Sequence, residues 1–184
     1  MNLPSLRTTA ALLVTSALLS ACVSQKTYDQ QVAKTSTYQQ LDAQLKSEIS
    51  ADQAQITQLQ NVVQVTLANG ILFPEGGWEL NPAGKATLSK LAPVLKTLTG
   101  QKIEVKGFTD NVPIGPELRA RFPSNLELSK ARAQSVADHL VAQGVPPGIL
   151  SVSGFGDAQP VASNDTAQGR AKNRRVVMDI IEAK

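Results

Sequence analysis

The sequence predicts an α+β fold, a two-layer α/β sandwich with helices on one side of a small mixed sheet. Three observations carry this. From residue 62 onward, short runs of alternating apolar residues take turns with runs whose apolar residues recur at helical spacing. Each change of period falls at an Asn, Ser, Gly or Pro placed to start or stop a helix. The 184 residues are 42% hydrophobic and 18% charged, which suits one globular domain with extensions. Only 4% are aromatic, so the core must come from Leu, Val, Ile and Ala.

The elements follow in order. Residues 62–73 read as a strand with a break at Asn69-Gly70. Asn81-Pro82 supplies an N-cap and a first-turn proline, and Leu88, Leu91, Leu95 and Leu98 line the helix it opens, which Gly100 closes. A strand at 102–108 alternates Ile103 and Val105 with charged neighbours. Ser124, three residues before Glu127, has the spacing of a capping box. The helix it starts carries Leu126, Ala133, Val136, Ala137 and Leu140 on its apolar face and ends at Gly144. Leu150, Val152 and Gly154 mark a third strand. A short helix at 164–173 leads into a last strand through Val176, Met178 and Ile180. The predicted order is β-α-β-α-β-α-β.

The first 61 residues differ in composition. Residues 1–21 have the form of a secretory signal: Arg7 provides a positive start, and Ala10 to Leu19 is apolar but too short to span a bilayer. Residues 22–61 form the expected tether. Eleven of residues 25–64 are Gln, with no Gly or Pro among them. Leu45, Ile49, Ile56, Leu59 and Val63 fall on a 4-then-3 spacing interrupted by Asp52, the pattern of a short coiled-coil seam. A solvated, partly helical tether is the other open reading. This segment is where a second copy of the chain or an envelope protein partner is expected to dock. The domain proper is expected at 62–184.

Function classes narrow by charge and motif. With 18 basic and 15 acidic residues, and Arg7 in the signal, the mature chain carries 17 against 15. That is too mild for counterion-driven nucleic-acid binding. No zinc-spaced His/Cys set, phosphate loop or nucleophile motif occurs, so no metal, cofactor or catalytic residue is expected. An Asp110–Asp157 carboxylate pair is the one enzymatic alternative. His139 lies mid-helix and reads as inert. The stretch GFTDN at 107–111 delivers Asp110 and Asn111 to a strand tip, where they serve a turn or a grip. Arg132 lies about 90° from the centre of its helix's apolar face, a flank position able to lean over that tip.

Two resemblances sharpen the reading. Leu19-Ser20-Ala21-Cys22 resembles the lipobox of bacterial lipoproteins, and Cys22 is the only cysteine. The resemblance implies cleavage before Cys22, a diacylglycerol on its thiol and an acyl chain such as palmitate on its amine. With Val23 rather than Asp next, it implies sorting to the periplasmic face of the outer membrane. Residues about 68 to 182 resemble the OmpA-like peptidoglycan-binding domain of outer-membrane proteins, Pal-type lipoproteins and MotB-type stators. The matching pieces are GFTDN, SNLELSKARAQSV at 124–136, GVPPGILSVSGFGDAQPVASNDT at 144–166 and GRAKNRRV at 169–176. The family's ligand is the diaminopimelate of the peptidoglycan stem peptide. On that resemblance Asp110 meets its ammonium and Arg132 its carboxylate. Thr109, Asn111, Asn125 and Ser129 support the pocket, and Arg174 is a minor contributor within a mainly structural basic run. The implied role is an anchor between outer membrane and wall, or a regulatory envelope protein whose N-terminal helix docks a membrane partner. Two departures stand out: Phe108 replaces the family's usual His, so no role of that His carries over, and the stretch Val112 to Pro123 is long.

Overall fold

The computed structural model describes residues 25–182; the expected signal and Cys22 lie outside them. The chain runs α1 (Gln25–Gln44), α2 (Lys46–Ser50), β1 (Ala54–Gln58), β2 (Val62–Ala68), α3 (Asn69–Leu72) and α4 (Pro82–Lys96). It continues with β3 (Gln101–Phe108), α5 (Pro116–Arg119), α6 (Asn125–Ala142), β4 (Leu150–Gly154), α7 (Ala167–Asn173) and β5 (Arg175–Glu182). The sheet order is β1-β2-β5-β3-β4, with β3 and β4 parallel and the other neighbours antiparallel. The mixed α+β class is therefore as expected, with one strand more.

Local chemistry explains the boundaries. The Asn81 side chain accepts from the Gly84 amide at 2.7 Å, and Pro82 fills the first helical position. Ser124 accepts from the Leu126 amide at 3.1 Å while its hydroxyl donates to Glu127. The Ser124 hydroxyl and neighbouring backbone amides hold the Glu127 carboxyl below its usual range. Gly144 stops α6 at positive φ, where a Cβ would be strained, whereas α4 ends earlier than expected, at Lys96 with Thr97 as its cap, so that Leu98 and Gly100 lie beyond the helix. Val63, Val65 and Leu67, Ile103 and Val105, and Val176, Met178 and Ile180 all face the helices. Leu88, Leu91 and Leu95 of α4 and Ala133, Val136 and Leu140 of α6 close over them.

Four expectations change. The run 62–73 does not continue as a strand; after Ala68 it turns into the short α3. Leu126 is half exposed, and Leu128 takes its place in the interior. The coiled-coil seam does not form: Ile56 and Val63 lie on paired strands, and Leu41 and Leu45 are 0% exposed in the main core. A seam facing another helix would need the 3.5-residue period to run on through 56–63, and there the chain is extended and hydrogen-bonded to its neighbour. The sheet itself therefore begins at Ala54 rather than at 62. Residues 25–50 are helical, yet they pack on the domain. Lys90 of α4 pairs with Glu48 at 2.7 Å, and Lys34 with Glu182 at 3.4 Å.

The helices do not all share one side. Gln168, Ala171 and Lys172 of α7 border a concavity of about 740 Å³ on the opposite face, over Thr66, Val177 and Lys106. There the Lys106 ammonium bridges Asp179 at 2.8 Å and Glu104 at 2.9 Å. Burial opposes its charge, but the two carboxylates prevail and raise its pKa.

The packing of α1 yields a test. Leu41→Ala should lower stability by about 2–4 kcal/mol through the cavity it leaves. A residue of a solvated tether would change it by less than about 0.5 kcal/mol. Chemical denaturation of the two proteins decides between these outcomes.

Candidate functional site

The ends of β2, β3 and β4 and the start of β5 meet at one edge of the sheet, beneath the first turns of α6. Two glycines allow the close approach. A Cβ on Gly107 would stand in the Ser129 carbonyl, and one on Gly154 would lie 2.6 Å from the Leu126 carbonyl oxygen and the Lys130 amide. Ser129, 0% exposed, locks the junction: its Oγ accepts from the Gly156 amide at 2.9 Å and donates to the Leu126 carbonyl at 2.8 Å.

Asp110 follows directly from β3 and is buried, 6% exposed. One carboxylate oxygen accepts from the Val112 amide at 3.2 Å, which closes the turn. The other takes Nη1 of Arg174 at 2.5 Å. GFTDN is thus a turn whose carboxylate also holds a cation of the chain itself. Arg174, expected to be mainly structural, is the cation that Asp110 holds.

Arg132 is not the half-exposed flank residue that the helical wheel implies. It is 5% exposed. Its Nε donates to the Gly77 carbonyl at 2.8 Å, and its guanidinium lies 5.7 Å from the Phe73 ring centre. Burial pulls its pKa down to about 10, the like charge of Arg174 adds to this, and Asp110 opposes it. Arg132 therefore sits within electrostatic reach of both, yet no carboxylate among the described residues forms a salt bridge with it. It remains a cation at neutral pH.

The other expected residues divide. Asn125 donates to the carbonyls of Val112 at 3.0 Å and Asp110 at 3.4 Å, and so braces the turn that carries Asp110. Thr109 is buried, with its amide on the Gly156 carbonyl at 2.7 Å and its hydroxyl unpartnered. Asn111 is exposed. Phe108 faces the opposite side of the sheet, stacked 5.0 Å from Phe155 with the Arg175 guanidinium 3.8 Å from its ring centre. Asp157 is exposed. His139 is less isolated than expected: its Nε2 lies 3.2 Å from the Ser89 hydroxyl, a bond between α6 and α4.

The stretch Val112 to Pro123 is anchored. Ile114 and Phe122 pack with Leu128 and Trp78 in a small second core, and Arg121 lies 4.5 Å over the Trp78 ring. Sequence reasoning missed the segment 73–78 that joins Arg132 to this core. The only signal for it is its apolar and aromatic content, Phe73 and Trp78, because the contacts span more than forty residues.

Residues 72–174 match the OmpA family. The chain belongs to that family. This OmpA-family chain is 36% identical to "Probable lipoprotein YiaD" of Escherichia coli K12 over 135 residues, 73% of this chain and 58% of YiaD. It is 39% identical to the peptidoglycan-binding protein ArfA of Mycobacterium tuberculosis over 118 residues, 64% of this chain and 34% of ArfA. It thus spans 58% and 34% of these two relatives. Among solved structures, the cell wall anchor of the T6SS from Pseudomonas aeruginosa superposes with a TM-score of 0.70 at 34% identity, covering 77% of this chain and 96% of that one.

The junction beneath α6 carries a prediction. Ser129→Ala leaves the buried Gly156 amide without its acceptor and should cost about 1–3 kcal/mol of stability. Thermal melts measure it; an unchanged melting temperature would show that the hydroxyl does not hold this OmpA-family site together.

Proposed function

We propose that this chain is an outer-membrane lipoprotein that binds peptidoglycan non-covalently through the diaminopimelate of its stem peptide, tethering membrane to wall. The observation that supports it best is the charge pattern at the sheet edge. A buried guanidinium without a carboxylate partner lies beside a buried carboxylate. The free end of diaminopimelate carries an ammonium and a carboxylate on one carbon, the complement of that pair. Arg132 takes the carboxylate through its planar fork, and Asp110 takes the ammonium. Asp110 can keep Arg174 while doing so, since a carboxylate offers about four lone-pair sites. The names of ArfA and of the T6SS anchor agree with a wall ligand. Because Asp110 is ion-paired and Asp157 is exposed, the carboxylates suit gripping rather than acid–base work.

Two charge-assisted pairs worth roughly 1.5–3 kcal/mol each correspond to micromolar to millimolar affinity. That is sufficient for a domain confined beside a repeating ligand. The confinement comes from a lipid on Cys22. Among the described residues no helix is long and apolar enough to cross a membrane.

Two experiments test the parts. Titration with a diaminopimelate-containing muropeptide should show Asp110→Ala weakened by about tenfold or more. Arg132→Lys should weaken similarly, because a point ammonium cannot reproduce a bidentate fork. Both residues are buried, so thermal melts must accompany the titrations, and full binding by a folded Arg132→Lys protein would refute the fork. Separately, Cys22→Ala should release the protein from the outer-membrane fraction. Unchanged fractionation would remove the lipid anchor from the proposal.

A further inference from the structure

We propose that Asn69 and Thr109 complete the ammonium-binding half of this site, with their side-chain oxygens as its second and third acceptors. This rests on the reading that the ligand carries an ammonium and a carboxylate on one carbon.

Across β2, β5 and β3 the last paired row is Ala68, Arg175 and Phe108. One residue further lie Asn69, Arg174 and Thr109. Beyond the ladder the Asn69 amide still donates to the Arg174 carbonyl at 3.0 Å, while on the other side of β3 the Thr109 amide donates to the Gly156 carbonyl at 2.7 Å. Side chains two residues apart share a face of a sheet. Leu67, Val176 and Gly107 face the helices, the layer that holds Arg132, and Asn69, Arg174 and Thr109 each lie two residues from one of them, just past the strand ends. Burial agrees: Asn69 is 7% exposed and Thr109 4%.

Each of these two residues holds a buried oxygen without a hydrogen-bond partner, Asn69 Oδ1 and Thr109 Oγ1. The one other such atom among the described residues, Gln101 Oε1, lies at the far end of β3. Two of three therefore flank Arg174 in a single row, next to Asp110. Leaving a buried acceptor unmade is costly, and folded proteins seldom do it. A ligand that brings donors removes the cost. An alkylammonium has three N–H donors. Asp110, Asn69 and Thr109 offer one charged and two neutral acceptors at the same end of the sheet, on either side of Arg174, while Arg132 stays free for the carboxylate. The ligand carboxylate, lying near both guanidiniums, offsets the repulsion between its own ammonium and Arg174. Asn69 lies outside the recognisable motifs, at the break within the first predicted strand, which is why the sequence marks it only as a turn position.

The test uses the full chain and two ligands: a muropeptide ending in diaminopimelate, and the same fragment with 2-aminopimelate, in which hydrogen replaces the distal ammonium. Asn69→Leu should bind the first about tenfold more weakly and the second as wild type does. Its melting temperature should hold or rise, since an unpaired buried acceptor is gone. Thr109→Val, which removes only the hydroxyl, should show the same ligand pattern and keeps the test open if the leucine variant fails to fold. Wild-type affinity for diaminopimelate in both variants, equal weakening for both ligands, or a binding loss that tracks a lowered melting temperature would overturn the proposal. If Asp110→Ala also binds normally, the ammonium reading itself fails; if Asp110→Ala is impaired and Asn69→Leu and Thr109→Val are not, only the role given to these two oxygens falls.

Discussion

The close approach of α6 to the sheet at Gly107 and Gly154 is the constraint on which the site depends. Side chains at those two positions would collide with the helix backbone, so the helix could not lie where it does. Because it does, Ser129 reaches the Gly156 amide, and Arg132 comes over the sheet edge close enough to feel Asp110. The segment 73–78 then covers Arg132, through the Gly77 carbonyl and the Phe73 ring.

Burying a guanidinium without a salt bridge is unfavourable, and the depressed pKa of Arg132 expresses this. On the open face the protein treats charge differently: Lys106 has two carboxylates and Asp179 also accepts from Gln64 at 2.8 Å. One cluster is satisfied internally. The other has a hydrogen bond to a backbone carbonyl, a like charge nearby and unpartnered oxygens around it. Such asymmetry fits a site whose last partners arrive with a ligand.

Much of the fold was legible because its signals are local. Asn81-Pro82, Ser124 and Gly144 act within one helical turn, and the alternation around Ile103, Val105, Val176 and Met178 marks strands by itself. β1 was not legible. Its sequence, Ala54 to Gln58, has one Ile among residues compatible with helix, and it becomes a strand by pairing with β2. The apparent heptads failed for the same reason, since Ile56 and Val63 matched the spacing while belonging to neighbouring strands. In the site, Asp110 could be placed from its strand. The burial of Arg132 could not, because it depends on backbone contacts from residues far along the chain. Nor could the bond from Arg174 to Asp110, which spans 64 positions and joins residues that look separately like a turn former and a solvated charge.

The central claim is that the sheet edge reads an ammonium and a carboxylate on the same carbon. Cosedimentation of the protein with two purified walls tests it most directly, one with diaminopimelate at the third stem position and one with lysine there. Lysine supplies the ammonium but lacks the carboxylate for Arg132. The account predicts sedimentation with the first wall, released by free diaminopimelate, and little with the second. Equal sedimentation with both walls would contradict it.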